Sequence, residues 1–145
     1  MVRRARVEIE GGLYHVYNRV ARGEPVFRHE AEAGRLVLAI RQMMQQDGLS
    51  VLAWCVMSNH FHLVLRTSTV PLWRGMHGIQ NTFSRRFNRR HRRTGPLWQN
   101  RYKGKYVQNP EYLGRLVLYV HLNPVRAELV DRPEEYSFTG HREVK

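Results

Sequence analysis

The sequence predicts an α+β fold in which helices pack on a mostly antiparallel sheet. Stretches of apolar residues with period two alternate with stretches of helical spacing, and Gly, Pro and Asn residues separate them. The resulting order is strand, helix, hairpin, helix, strand, helix, which is typical of this class. A chain of 145 residues with 42% hydrophobic residues can bury one core, so we expect one domain over residues 1–145 with a short basic N-terminal arm.

The first strand and the first helix follow the basic stretch Met1–Glu10. The segment Leu13–Asn18 has strand composition and comes directly after two glycines. From Ala31 onward apolar residues recur at the spacing of one helix face: Leu36, Val37, Ile40, Met43 and Met44. Gly48 stands where a glycine commonly ends a helix, so we place the first helix between Ala31 and Gly48.

A hairpin and a second helix come next. Val51–Met57 and Phe61–Arg66 are apolar runs of strand length, and only three residues separate them, which is typical of an antiparallel hairpin. Thr69 can cap a helix that begins near Val70, and Gly95-Pro96 is expected to stop it. Its apolar face is formed by Leu72, Met76, Ile79, Phe83 and Phe87.

The last two elements are an extended strand and a third helix. Leu97–Val107 is basic and extended in character, and it supplies the fourth strand. Asn109-Pro110-Glu111 combines a cap, a proline and a first-turn acid, so a helix is expected from there to about Leu122. Pro124 disfavours helical geometry at the preceding residue, so we expect the Asn123 side chain to emerge at the helix end.

The charge of the chain indicates a polyanionic partner. Lysine and arginine number 24 against 12 acidic residues, for a net charge of +12, and nucleic acid is the leading candidate. No apolar run reaches membrane-spanning length and no signal segment opens the chain, so we expect a cytoplasmic protein without membrane attachment. Cys55 is the single cysteine, which excludes a cysteine zinc cluster and predicts a buried structural thiol.

A histidine pair at the start of the third strand is a candidate metal site. In His60-Phe61-His62 the alternation of a strand puts both imidazoles on one face and Phe61 on the other. Two imidazoles on the same face can coordinate one divalent ion. They can equally be polar residues of an exposed sheet face. With an oxygen ligand added, positions would stay open on Mg²⁺ or Mn²⁺ for a phosphate.

The third helix carries a tyrosine that is a candidate nucleophile. Its apolar stripe consists of Leu113, Leu116, Val117 and Val120. Tyr119 and Asn123 are neighbours on the flank of that stripe, together with Tyr112, whereas His121 points to the opposite flank. Helix geometry alone favours an ordinary packing role for Tyr119, with its hydroxyl in water.

The segments 57–64 (MSNHFHLV) and 119–127 (YVHLNPVRA) together resemble the IS200-like single-tyrosine transposases. Within that family the chain looks most like the branch associated with repetitive extragenic palindromes (REP). Shorter matches at 14–16, 98–102 and 133–137 extend the resemblance along nearly the whole chain. It implies the ferredoxin-like, RRM-like antiparallel sheet of the His-hydrophobe-His endonucleases.

The resemblance also implies a mechanism and its residues. Tyr119 would be the nucleophile, and His60, His62 and Asn123 would bind Mg²⁺ or Mn²⁺. Many relatives have glutamine in place of Asn123, so a shorter side chain must reach the same ion. Attack on single-stranded DNA would leave a 5′-phosphotyrosine and a free 3′-hydroxyl, without ATP. The resemblance leaves open the group that takes the tyrosine proton, and His15 and a hydroxide on the metal are the candidates.

Basic and aromatic residues provide the candidate DNA surface. Arginines crowd the end of the second helix, and further cations follow beside Trp98, Tyr102 and Tyr106, which can stack on unpaired bases. The basic positions expected to contact DNA are Arg85, Arg86, Arg89, Arg90, Arg93, Arg101, Lys103 and Lys105. Arg3 and Arg4 on the N-terminal arm are a second expected contact. The family suggests a hairpin or palindromic DNA as the substrate.

Two other functions remain open at this point. One is a nucleic-acid-binding module in which Tyr119 and the histidines only stack or pack. The other is a hydrolytic nuclease in which water attacks, but no acidic ligand stands near His60 and His62 in sequence. A homodimer is also open, since some IS200-like relatives place the tyrosine helix of one subunit at the histidines of the other.

Overall fold

A four-stranded antiparallel sheet with helices on both faces forms the fold of residues 9–140, the part of the chain that this computed structural model describes. The strands are β1 (Leu13–Arg19), β2 (Ser50–Val56), β3 (His60–Arg66) and β4 (Lys103–Tyr106), in the order β2-β3-β1-β4. The helices are α1 (Glu30–Asp47), α2 (Leu72–His91), α3 (Leu113–His121) and α4 (Asn123–Arg126). None of these described helices is long and apolar enough to cross a membrane. The predicted α+β class is confirmed.

The register of the central strands assigns their side chains to two faces. β1 pairs with β3 through Tyr17 and His62, and with β4 through His15 and Lys105. Because side chains alternate along a strand, His15, Tyr17 and the β3 histidines share one face, whereas Tyr14 and its period-two neighbours share the other. We call the first of these the histidine face.

Helices α1 and α2 cover the face opposite the histidines. The main core joins the β1 and β3 side chains of that face to both helices, and the five apolar positions predicted for the second helix are all buried in it. The predicted end of the first helix is confirmed as well, since Gly48 takes a left-handed conformation with φ of 68° directly after Asp47.

Helix α3 covers the β2 side of the histidine face. Its predicted apolar stripe packs on a second core of Ala53, Cys55, Met57 and Val64. Val120 is fully buried at the centre of the contact. Cys55 is buried too, and burial raises the pKa of its thiol to about 12, which suits a structural role. The other half of the face, over β1 and β4, stays open beside α3.

The second helix differs from its predicted limits at both ends. Thr69 does not cap it: the N-cap position is Pro71, and the Ser68 hydroxyl accepts the Val70 N–H instead. The helix ends at His91, four residues before Gly95-Pro96, because Arg92 adopts a left-handed conformation with φ of 52°. A non-glycine residue rarely takes this conformation, so the sequence carries no signal for it.

The third helix also differs from its prediction, at the residue before Pro124. A 3₁₀ turn, Pro110–Tyr112, precedes α3, and helical backbone continues past His121 into α4. Asn123 lies inside this continuation, so the expectation of non-helical geometry there was wrong. Pro124 stands in the first turn of α4, the part of a helix in which proline is best tolerated.

Candidate active site on the histidine face

Four aromatic rings of β1 and β3 form a compact cluster on the histidine face. The ring of His62 lies 5.2 Å from that of His60, 5.3 Å from that of His15 and 5.5 Å from that of Tyr17, centroid to centroid. Strand alternation brings each of these side chains there, so the predicted placement of both β3 histidines on one face is confirmed. His15 and Tyr17 complete the cluster from the neighbouring strand.

Hydrogen bonds orient the two histidines expected to bind metal. Nδ1 of His60 lies 2.8 Å from the Asn59 amide oxygen, which can only accept, so Nδ1 carries the proton. Nδ1 of His62 lies 3.0 Å from Nε2 of His15. Both bonds use Nδ1, which leaves Nε2 of each ring available to a ligand. Metal-bound histidines have this arrangement of a ligating nitrogen and an oriented one.

Burial keeps these imidazoles neutral. It lowers the pKa of His62 to about 3, helped by repulsion from His60, His15 and Arg126. It lowers the pKa of His15 to about 4, with a smaller contribution from Lys105. The pKa of His60 is lowered as well, by burial and then by Arg19. At neutral pH all three rings therefore offer a nitrogen lone pair.

Tyr119 approaches this cluster from α3 of the same chain. Its ring centroid lies 6.1 Å from that of His62 and 6.2 Å from that of His15, both edge-on. The side chain is 46% exposed, although the helix is anchored by the adjacent buried Val120. A tyrosine beside two oriented imidazoles and open to solvent can meet a large substrate.

Arg126, in α4, contacts both Tyr119 and Asn123. Its guanidinium carbon lies 4.2 Å from the centroid of the Tyr119 ring, a cation–π contact. Nη2 donates to the Tyr119 carbonyl oxygen at 2.6 Å and to the Asn123 amide oxygen at 2.9 Å. One exposed cation therefore positions both residues that the family resemblance singles out on this helix.

The fit of a metal to these residues is good for the histidines and incomplete for the third ligand. No three His, Cys, Asp or Glu side chains come together as a metal-binding group in residues 9–140. Asn123 would have to supply the oxygen, and that oxygen already accepts from Arg126. Its amide nitrogen is buried without a hydrogen-bond partner, so the side chain gains by rearranging when a ligand arrives.

Lys103 and Lys105 extend the cluster with positive charge. They pair with Tyr17 and His15 across the β1–β4 ladder, and both point to the histidine face. Their ammonium groups lie 5.9 Å and 5.6 Å from the centroid of the Tyr17 ring. These two predicted DNA contacts therefore border the candidate site.

The arginines that were predicted to contact DNA at the end of the second helix lie away from the histidine face. Helix α2 covers the opposite face of the sheet, so Arg85, Arg86 and Arg89 are exposed far from the histidine face. Arg90 bonds to the buried carboxylate of Glu32 at 2.6 Å, and Arg93, which lies beyond the helix end, makes a two-bond ion pair with Glu24. The structure does not bring these five arginines to the site.

The remaining residues that were predicted to contact DNA lie in different parts of the molecule. Trp98 donates to the Gln80 carbonyl oxygen and packs its ring 5.5 Å from that of Phe61, so it is a half-buried side chain at the edge of the core. Tyr102 is buried, whereas Tyr106 is half-buried against the core and lines a cleft between β4 and α3. Arg101 is exposed and lines a cleft with His60. Arg3 and Arg4 lie outside the described residues.

Sequence reasoning gave no role to three side chains that belong to the site. Period-two spacing from His15 would have placed Tyr17 on the same face. Helical spacing would have placed Arg126 below Tyr119 and Asn123, but Pro124 was taken as the helix end. The hydrogen bond of Asn59 to His60 depends on turn geometry that no spacing rule provides.

Comparison with known proteins gives the family. The family model of IS200-like transposases matches residues 9–123. No curated protein matches the sequence. A REP-associated tyrosine transposase bound to a REP hairpin is 18% identical, with a TM-score of 0.84 over 99% of this chain and 84% of that one. A putative transposase from Deinococcus radiodurans is 20% identical, with a TM-score of 0.57 over 82% of this chain and 95% of that one. The resemblance drawn from the motifs is confirmed, and this chain belongs to the IS200-like transposase family.

Proposed function

We propose that this transposase nicks and rejoins single-stranded DNA with Tyr119 as its nucleophile. The observation that carries the proposal is the approach of the Tyr119 ring to within 6.1 Å of His62 on the same chain. A tyrosine hydroxyl is a weak nucleophile at neutral pH, so it needs a neighbouring group that stabilises the transferred phosphoryl charge. The histidine face is the only described surface that combines such groups with an exposed tyrosine of α3.

His60 and His62 would hold a divalent metal, Mg²⁺ or Mn²⁺, through Nε2, with Asn123 as the proposed oxygen ligand. When bound, such a cation neutralises the charge of a phosphodiester. Asn59 and His15 fix the two rings in the ligating orientation before binding. We assign His15 this positioning role and not the role of general base, because Nε2 of His15 is already hydrogen-bonded to His62.

The step that we propose for Tyr119 is a transesterification. The phenolic oxygen attacks the phosphorus, the bond to the 3′-oxygen breaks, and a 5′-phosphotyrosine and a free 3′-hydroxyl result. Arg126 holds the ring of Tyr119 and places a permanent positive charge beside the attacked phosphate. The phosphodiester energy is kept in the tyrosine link, so a 3′-hydroxyl can reverse the step and join a new end.

The distances within one chain support a site that is complete in a single subunit. Tyr119 contacts the rings of its own β1 and β3 histidines, so we propose that it acts in cis and that nicking does not depend on a homodimer.

The proposed substrate is single-stranded DNA beside a hairpin. A hairpin is the ligand of the structurally similar REP-associated transposase. Lys103, Lys105 and Arg101 would bind the phosphates nearest the histidines, and Arg3 and Arg4 are proposed to add contacts from the arm. Arg85, Arg86 and Arg89 on α2 would contact a more distant part of the DNA, with Arg90 and Arg93 held in their ion pairs.

The proposal is tested with labelled hairpin oligonucleotides that carry single-stranded flanks, in Mn²⁺ or Mg²⁺, on a denaturing gel. We expect a covalent protein–DNA band that is lost in Tyr119→Phe and in His62→Ala. Cleavage that persists in Tyr119→Phe would show water as the nucleophile. Binding without any covalent band would instead support a non-catalytic nucleic-acid-binding module.

A further inference from the structure

An open cleft of about 640 Å³ lies between the end of β4 and the outer flank of α3. Tyr119 forms part of its wall, together with His15 and Lys105 from the sheet. Tyr112 and Arg115 line the other side, and Tyr112 is 56% exposed. We call this the tyrosine cleft.

The lining of the tyrosine cleft suits an unpaired nucleotide. The Arg115 guanidinium carbon lies 6.0 Å from the centroid of the Tyr112 ring, so an aromatic face and a cation stand side by side. Lys105 adds a second cation, and no carboxylate is among the lining residues. Exposed aromatic rings stack on bases of any sequence, and neighbouring cations bind the phosphates of a single strand.

A second cleft of about 470 Å³ lies on the other side of the histidine pair. It includes His60 but not Tyr119, whereas the tyrosine cleft includes Tyr119 but not His60. Its lining is polar, with Asn59, Gln99 and Arg101. A strand with its phosphate at the histidines could therefore extend into one cleft on each side.

The chemistry of the proposed function decides which end of the strand each cleft takes. In phosphoryl transfer the attacking and leaving oxygens lie roughly in line on opposite sides of the phosphorus. As the bond from the Tyr119 oxygen to phosphorus forms, the bond to the 3′-oxygen breaks, and the proton lost by the phenol is matched by one gained at the leaving hydroxyl. The leaving 3′-oxygen thus points away from Tyr119, toward His60 and the second cleft.

We propose that the tyrosine cleft binds the unpaired nucleotide on the 3′ side of the nick, whose base stacks on Tyr112 and whose 3′-side phosphate is held by Arg115 and Lys105. This inference rests on the proposed nicking by Tyr119. The cleft keeps the tyrosine-linked end in place, and the polar cleft is left free to exchange one 3′-hydroxyl end for another.

The test combines protein variants with abasic oligonucleotides. The nick is first mapped with the unmodified protein, and single abasic sites are then placed immediately 3′ or immediately 5′ of it. Adduct formation is measured in single turnover for the wild-type chain, Tyr112→Ala and Tyr112→Phe. Trp73→Ala is the matched control, since Trp73 is similarly exposed, at 51%, but lies on α2 across the sheet.

On unmodified DNA we expect Tyr112→Ala to slow adduct formation about tenfold, the usual size of one base–aromatic contact. Tyr112→Phe and Trp73→Ala should stay near wild type. The tenfold loss should persist with the 5′ abasic site and vanish with the 3′ one, because the base that stacks on Tyr112 is then already missing. The subsite would be overturned if the slowing by Tyr112→Ala vanished only with the 5′ abasic site. It would also be overturned if the slowing persisted with both abasic sites. Absence of any adduct with wild-type protein would overturn the nicking function and the subsite together.

Discussion

Replacing Arg126 with alanine removes the one cation that contacts both Tyr119 and Asn123. Its contact with the ring, at 4.2 Å, is worth about 0.5–1 kcal/mol for an exposed pair. Its proposed charge beside the attacked phosphate adds to this, since loss of one charged donor that stabilises a transition state costs about 2.7 kcal/mol or more in the barrier. Together these raise the activation free energy by about 3.5 kcal/mol, which slows nicking roughly 400-fold. The two hydrogen bonds are exposed, so the free energy of unfolding should fall by only about 1 kcal/mol.

Single-turnover adduct formation at saturating DNA measures this rate directly. Arg126→Lys keeps the charge but cannot donate to both oxygens from one planar group, so it should recover part of the activity, to about tenfold below wild type. Arg132→Ala, which removes another exposed arginine near the end of α4, is the charge-matched control. A rate for Arg126→Ala within threefold of wild type would refute the positioning role of this residue.

Three further predictions concern stability and metal binding. Glu32→Gln should lower the free energy of unfolding in urea by about 2 kcal/mol, because its buried carboxylate bonds to Arg35, Arg90 and His91. Glu24→Gln should lower it by much less, because the pair of Glu24 with Arg93 is half-exposed. Equal losses would contradict the burial of Glu32. His15→Ala should weaken Mn²⁺ binding about 10- to 100-fold in calorimetric titration, and unchanged affinity would remove its positioning role. In metal-free protein, Tm should fall from pH 7 to pH 5, since the unfolded chain binds protons at histidines whose pKa is lowered to about 3 at His62 and about 4 at His15. A Tm that does not change with pH would contradict the neutral state of these histidines in the folded protein. So would a pH dependence of Tm that His62→Ala leaves unchanged.

Much of the fold was predictable because its elements are set by local periodicity. Alternation alone placed His60 and His62 on one face, and helical spacing placed Val120 in the core and Tyr119 beside it. These relations hold within single elements, whatever the elements pack against. The same reasoning could not show that β1 would contribute His15 and Tyr17, since strand order depends on pairing between distant segments.

The features that sequence periodicity could not place depend on tertiary contacts or on unusual backbone geometry. The arginines of α2 were grouped with Lys103 and Lys105 by sequence proximity, yet the sheet separates them onto opposite faces. Trp98 is predicted to stack on bases, and the structure places it half-buried against the core, in contact with Phe61 and Gln80. Composition gives the charge of a surface without giving the side of the molecule on which it lies.

The central claim is that Tyr119 becomes covalently linked to DNA, and peptide mapping of the adduct tests it most directly. Cleavage after Arg115 and Arg126 yields the peptide 116–126, in which Tyr119 is the only tyrosine. After nuclease trimming, mass spectrometry should find this peptide carrying a 5′-linked nucleotide through the tyrosine oxygen, and the modified peptide should be missing from Tyr119→Phe. A nucleotide on any other peptide, or an unmodified 116–126 in protein that has cut its DNA, would contradict the account.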